Sequence, residues 1–122
     1  MLKYIFPLFL INISAAQSIT QAIPQDKQRH FAMGVCIAAM TYITAYDHYN
    51  QKNPKTSHLK SLAAANVLTI SAALLKEVYD YNVYSSAGLW NGAKKIDSYE
   101  DIFATVLGSA AVTLVIHIGS GR

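Results

Sequence analysis

After residue 25, three stretches of fifteen residues or more carry no Asp, Glu, Lys or Arg: residues 31–46, 61–75 and 102–118. None contains proline, and glycine enters them only at Gly34 and Gly108. Runs of this length without a breaker read as helices that bury themselves in a core or meet lipid. Turn-rich segments separate them. Residues 50–57 read N-Q-K-N-P-K-T-S, residues 83–96 include Ser85, Ser86, Gly88, Asn91 and Gly92, and Gly119, Ser120 and Gly121 close the third run. The pattern predicts an all-α fold. Helix one is expected from Lys27 to about Tyr49 with Asp26 as its cap, and helix two over about 58–81 with Ser57 as its cap. Helix three is expected from Asp97 or Ser98 to about Ile118, after a loop over 83–96. Short connections make this a three-helix up-down-up bundle.

With 122 residues the chain forms one domain. Hydrophobic residues make up 52% and charged residues 14%, against roughly 25% charged in a typical soluble domain. The mean hydropathy is +0.23. The deficit of charge points to a membrane or to a very buried helical core. A helical run of about fifteen residues spans about 22 Å, short for a bilayer unless aromatic residues sit at the interfaces. Such aromatics are present: Tyr42, Tyr46 and Tyr49 at one end, and Tyr79, Tyr81, Tyr84, Trp90 and Tyr99 at the other. The alternative is a soluble periplasmic bundle with a rich core. Ten Lys and Arg against seven Asp and Glu is a small, scattered excess, which argues against a nucleic-acid surface. Cys36 is the one cysteine. It excludes an internal disulfide and a cysteine metal set, and in its apolar run it reads as a buried, inert thiol.

Residues 1–16 read as an exported protein's address: Lys3, then a short apolar run to Ile11, then Ser14 and Ala16 at the positions a signal peptidase reads. Cleavage is expected after Ala16, with a retained anchor as the alternative. Residues 17–25 form a polar lead, 26–119 the helical domain, and 120–122 a tail. Lys52, Lys55 and Lys60 would hold the first connector in the cytoplasm. The expected location is the bacterial cell envelope, in the inner membrane or the periplasm.

Up-down-up order brings the start of helix one, the end of helix two and the start of helix three to one end. The charges gather there: Asp26, Lys27, Arg29 and His30; Lys76, Glu77 and Asp80; Asp97, Glu100 and Asp101. Asp26 and His30, Lys76 and Asp80, and Asp97 and Asp101 each lie four apart, on one helix face. Small residues continue these faces: Gly34, Ala38, Thr41 and Ala45; Asn66 and Ala73; Ala104, Thr105 and Gly108. The charged faces are therefore expected to point inward. His48, His58 and His117 fall near the opposite end and read as dispersed, solvated or interfacial groups. Trp90 reads as a lid over the cluster or an interface anchor, and Lys94 with Lys95 as a solvated pair.

Three chemistries suit such a cluster. His30, Glu77, Asp80 and Asp101 offer one nitrogen and three oxygens for a divalent ion, but Lys27 and Lys76 would repel it. Hence no metal or other cofactor is expected. His30, oriented by Asp26 or Glu77 and with Asp80 nearby, can act as a base or nucleophile on a lipid phosphate held by Lys27, Arg29 and Lys76. No Ser or Cys stands in a recognised nucleophile motif. The third reading is a buried ion network that fixes helix register. The leading expectation is an envelope protein whose cluster is structural or holds an anionic lipid head group; the alternative is a lipid-phosphate hydrolase.

Three blocks carry a family likeness: Q-D-K-Q-R-H-F over 25–31, K-E-V-Y-D over 76–80 and D-I-F-A-T-V-L-G over 101–108. Together, in this order and spacing, they resemble the YfiM-like family of bacterial lipoproteins, and more distantly the VanZ-like membrane proteins. The likeness covers about residues 24–118. It implies an envelope compartment and a helical fold rather than a reaction, and it picks out Asp26, Lys27, His30, Lys76, Glu77, Asp80 and Asp101 as the shared cluster. It sets Glu100, Lys94 and Lys95 at the periphery. The chain departs from the family in lacking the lipobox cysteine and in having Thr105 where the family often places an acid or Asn.

Overall fold

The computed structural model describes residues 23–121. The expected address over 1–16, most of the polar lead and Arg122 lie outside these residues. Three helices and no strands make up the described chain: α1 (Gln25–Lys52), α2 (Pro54–Ser86) and α3 (Gly92–Gly119). They run up, down and up, and each packs on both others.

The helices are longer than the sequence pattern implies, because local caps extend them. Pro54 ends α1 and begins α2 at once. A residue before proline is pushed out of the helical region, and Asn53 is extended, with φ −153° and ψ 94°. Proline then suits the first turn, where its missing N–H costs nothing. The Asn53 side chain caps α2 by accepting from the Lys55 amide at 3.2 Å, so the expected cap at Ser57 is corrected to Asn53. Likewise Asn91 accepts from the Lys94 amide at 3.1 Å and caps α3, which starts at Gly92, five residues before Asp97. The loop expected over 83–96 shrinks to 87–91, turned by Gly88 at φ +69°. Asp26 is not a cap. It lies in the first turn of α1, after Pro24, where a carboxylate still favours the positive end of the helix dipole.

The interior is built of small and polar residues. Ala38, Ala65 and Ala73 are its buried apolar side chains, beside Ser57, Ser61, Thr69, Thr105, Ser109 and Thr113. Large apolar side chains face outward on every helix, among them Met40 and Ile43 on α1, Leu68 and Leu75 on α2, and Phe103 and Ile118 on α3. Cys36 belongs to this outer face; the expectation of a buried thiol is corrected. The small faces let the helices close to backbone distance. A Cβ added at Gly34 would overlap the Thr105 carbonyl, and one at Gly108 would overlap the Phe31 carbonyl. These reciprocal glycines set the α1–α3 crossing one turn from His30. Four buried hydroxyls are satisfied on their own helix: Ser61, Thr69, Thr105 and Thr113 each donate to the carbonyl four residues back. Two of the helices, α2 and α3, are long and apolar enough to cross a membrane.

Gly34→Ala tests the crossing. Alanine raises helix propensity by about 1 kcal/mol, yet here it must push backbone against backbone, an overpacking cost of about 1–3 kcal/mol. The expected outcome is a lower thermal midpoint for Gly34→Ala and Gly108→Ala, while Gly92→Ala, whose added Cβ meets nothing within 4 Å, does not fall.

Candidate functional site

Asp101 is the centre of the charged end. Its side chain is 9% exposed, and its two oxygens are shared among both other helices. Oδ1 accepts from Lys27 Nζ at 2.6 Å. Oδ2 meets Lys76 Nζ at 3.0 Å and His30 Nε2 at 3.1 Å. Lys27, from α1, also donates to Asp97 Oδ1 at 2.5 Å and lies 3.2 Å from Asp26 and 3.6 Å from Glu100. Lys76, from α2, reaches Glu77 at 2.8 Å and Asp80 at 2.9 Å. Glu77 is buried and takes a hydrogen bond from the Ser98 hydroxyl of α3. All seven residues picked out by the sequence, Asp26, Lys27, His30, Lys76, Glu77, Asp80 and Asp101, therefore come together in one network.

The network also holds members that the family likeness left out. Asp97 makes the shortest ion pair to Lys27, and Ser98 joins α3 to Glu77. The spacing signal for Asp97 was present, because it lies four residues before Asp101. Nothing in the sequence distinguished Ser98 from any other serine. Lys94 is not a free solvated residue: it pairs with Asp97 at 3.4 Å and its ammonium lies 4.5 Å above the Tyr84 ring. Trp90 packs edge-on against Tyr81, with ring centroids 5.0 Å apart.

The geometry limits the chemistry. Both nitrogens of His30 are engaged, Nε2 with Asp101 and Nδ1 with the Thr105 hydroxyl at 3.4 Å. Thr105 thus orients the ring. A cavity of about 30 Å³ lies within the cluster, walled by His30, Lys76, Glu77 and Asp101 and also by Met33 and Ile102. That is room for one or two waters and not for a phospholipid head group. The oxygens of Asp26, Asp97 and Asp101 converge as cation ligands would. The Lys27 ammonium pairs with all three, so a metal ion would have to displace it. Six carboxylates share three ammonium groups, Lys27, Lys76 and Lys94, which leaves the cluster acidic rather than anion-binding.

Proton equilibria follow the same contacts. The hydrogen bond from Lys27 outweighs partial desolvation and holds the Asp26 carboxyl below its ordinary value of 3.8. Burial alone would push the Lys27 ammonium down, but hydrogen bonds to Asp101, Asp97 and Asp26 prevail and hold it above 10.5.

Comparison of the chain with protein-family models, with curated proteins and with solved structures gives no match.

A carboxyl held low contributes stability above its unfolded value and loses it as pH falls; an ammonium held high contributes below its unfolded value and loses it as pH rises. The gap in thermal midpoint between wild type and Asp26→Asn is therefore expected to be flat from about pH 5 to about pH 10. It should narrow below about pH 4 and above about pH 11. Thermal unfolding of both proteins across pH checks this.

Proposed function

We propose that the chain is an integral protein of the bacterial envelope whose charged cluster clamps three helices together, making the domain a structural or scaffolding unit rather than an enzyme. The observation that carries this reading is the inverted polarity. Large apolar side chains cover the outside, while Gly, Ala, Ser, Thr and a desolvated ion network fill the inside. In water this arrangement forfeits most of the hydrophobic gain of folding. In lipid the exterior is solvated by acyl chains, and small-residue packing with interhelical polar contacts is what remains to hold helices together. On this reading α2 and α3 cross the bilayer, the uncharged part of α1 lies alongside, and the charged end faces the periplasm. The proposed kinship with YfiM-like proteins is consistent with it: the three blocks that carry the likeness supply Lys27, Lys76 and Asp101, which meet at one carboxylate.

The two other uses of the cluster have less support. A lipid-phosphate hydrolase built on His30 with Asp26 or Glu77 would have to free an imidazole nitrogen that the network engages. An anionic head group would meet carboxylates in excess, with Arg29 and Lys95 as the exposed cations nearby in the chain.

Two measurements test the proposal. The protein is expected to stay with membranes through carbonate extraction, and Cys36 is expected to resist a membrane-impermeant maleimide until detergent is added. Release by carbonate, or full labelling in intact vesicles, contradicts the membrane reading. His30→Ala and Glu77→Gln are each expected to lose about 1–3 kcal/mol of stability. Wild-type midpoints in both would contradict the clamp.

A further inference from the structure

The opposite end of the bundle has its own cross-helix linkage, built from histidines that the sequence pattern presents as dispersed. His58 on α2 is 4% exposed. Its Nδ1 lies 2.8 Å from the Tyr42 hydroxyl of α1, and its Nε2 lies 3.1 Å from Nδ1 of His117 on α3. The two imidazole planes are 22° apart and their centroids 5.4 Å. With nitrogens 3.1 Å apart, that separation is reached only when they point almost straight at each other. This is a near-linear N–H···N bond, in which one nitrogen carries the hydrogen and the other a lone pair. All three helices meet in the chain Tyr42, His58, His117.

We propose that His58 and His117 form a proton-operated latch, closed at neutral pH and opened by acid, at the connector end of the bundle. With both rings neutral, or with one proton added, a hydrogen remains on one facing nitrogen and a lone pair on the other, so the bond persists. When both rings are protonated, N–H faces N–H and two cations stand 3.1 Å apart. The bond is then lost and replaced by repulsion, on a side chain with almost no access to water. Histidine is the side chain that changes charge nearest neutral pH, so no other group of this linkage responds in that range.

Among the described residues, each helix contributes groups that face the pair. From α1, Tyr42 meets His58 and its ring stacks on Tyr46 at 5.7 Å. From α3, besides His117, the Ser120 hydroxyl lies 3.4 Å from His58 Nε2. On α2 itself, the nearest cation in the chain is Lys60, whose ammonium lies 5.9 Å from the Tyr49 ring. Opening is expected to stay local, because Asn66 bonds Ser109 and Thr113 between the latch and the α1–α3 crossing.

Amide hydrogen exchange on the full chain in detergent micelles tests this, at about pH 7.5 and about pH 4.5, corrected for intrinsic rates. The last two turns of α3 and the first two of α2 are expected to lose protection by about tenfold at the lower pH, while amides around Gly34 and Gly108 do not change. In His117→Phe that pH response is expected to vanish; His117→Gln, which cannot titrate but keeps a polar group, is expected to behave the same way and serves if the Phe variant does not fold. The proposal is overturned if wild-type protection is indifferent to pH. It is equally overturned if protection is lost uniformly along α2 and α3, or if either variant keeps the wild-type response.

Discussion

The arrangement of this protein depends on one carboxylate. Asp101 sits on α3 with almost no access to solvent, and it is held by an ammonium from α1, an ammonium from α2 and an imidazole from α1. A carboxylate taken out of water is costly unless its lone pairs are filled, and here they are filled only when all three helices are in place. The same holds in reverse for Lys27, whose charge is spread over Asp97, Asp101, Asp26 and Glu100. The network therefore specifies register: sliding or rotating any helix by one residue strands a buried charge. A network of this kind adds little net stability over an apolar core, but it discriminates sharply between the right packing and its neighbours.

Close approach of the backbones makes this possible. Gly34 and Gly108 remove the side chains that would keep α1 from α3, and only then do Lys27 and His30 reach Asp101. Packing and electrostatics are thus coupled at one end. At the other end Pro54 folds the chain back sharply, and the Tyr42, His58 and His117 linkage ties the same three helices. Between these ends the interior holds small residues and self-satisfied hydroxyls. The hydrophobic surface that would normally drive such a bundle together is on the outside, so polar contacts carry the specificity. This is the distribution expected if lipid, not water, surrounds the helices, as proposed above.

The architecture was legible because charge is so sparse. With uncharged runs this long, three helices and their antiparallel order follow almost from where the charged residues fall, and the i, i+4 spacing of Asp97 with Asp101 and Lys76 with Asp80 placed them on common faces. The helix ends were not legible. Asn53 and Asn91 read equally well as loop residues, and whether an asparagine caps a helix depends on the φ and ψ of its own backbone. Cys36 is exposed although its run is apolar, because an apolar run does not say which of its faces is inside. In an inverted bundle the small residues of the run, Gly34 and Ala38, take the interior. The histidine linkage was missed for a different reason. His58 and His117 are 59 positions apart, and their meeting is a product of helix length and crossing geometry that no local spacing encodes. Ser98 likewise gave no signal, since its partner Glu77 lies on another helix.

The central claim is that Lys27 and Asp101 act as one unit that joins α1 to α3. A double-mutant cycle on Lys27→Met and Asp101→Leu, with unfolding free energies measured in the same detergent or bilayer, tests it most directly. Either single change leaves a desolvated charge with one partner fewer, Asp101 keeping Lys76 and His30 and Lys27 keeping Asp97 and Asp26, and is expected to cost about 1–3 kcal/mol. The double variant removes both charges, and its loss is expected to be smaller than the sum of the single losses, with a coupling energy of about 1–3 kcal/mol. Additive losses, with coupling below about 0.5 kcal/mol, would mean that the two groups do not depend on each other and would contradict this account.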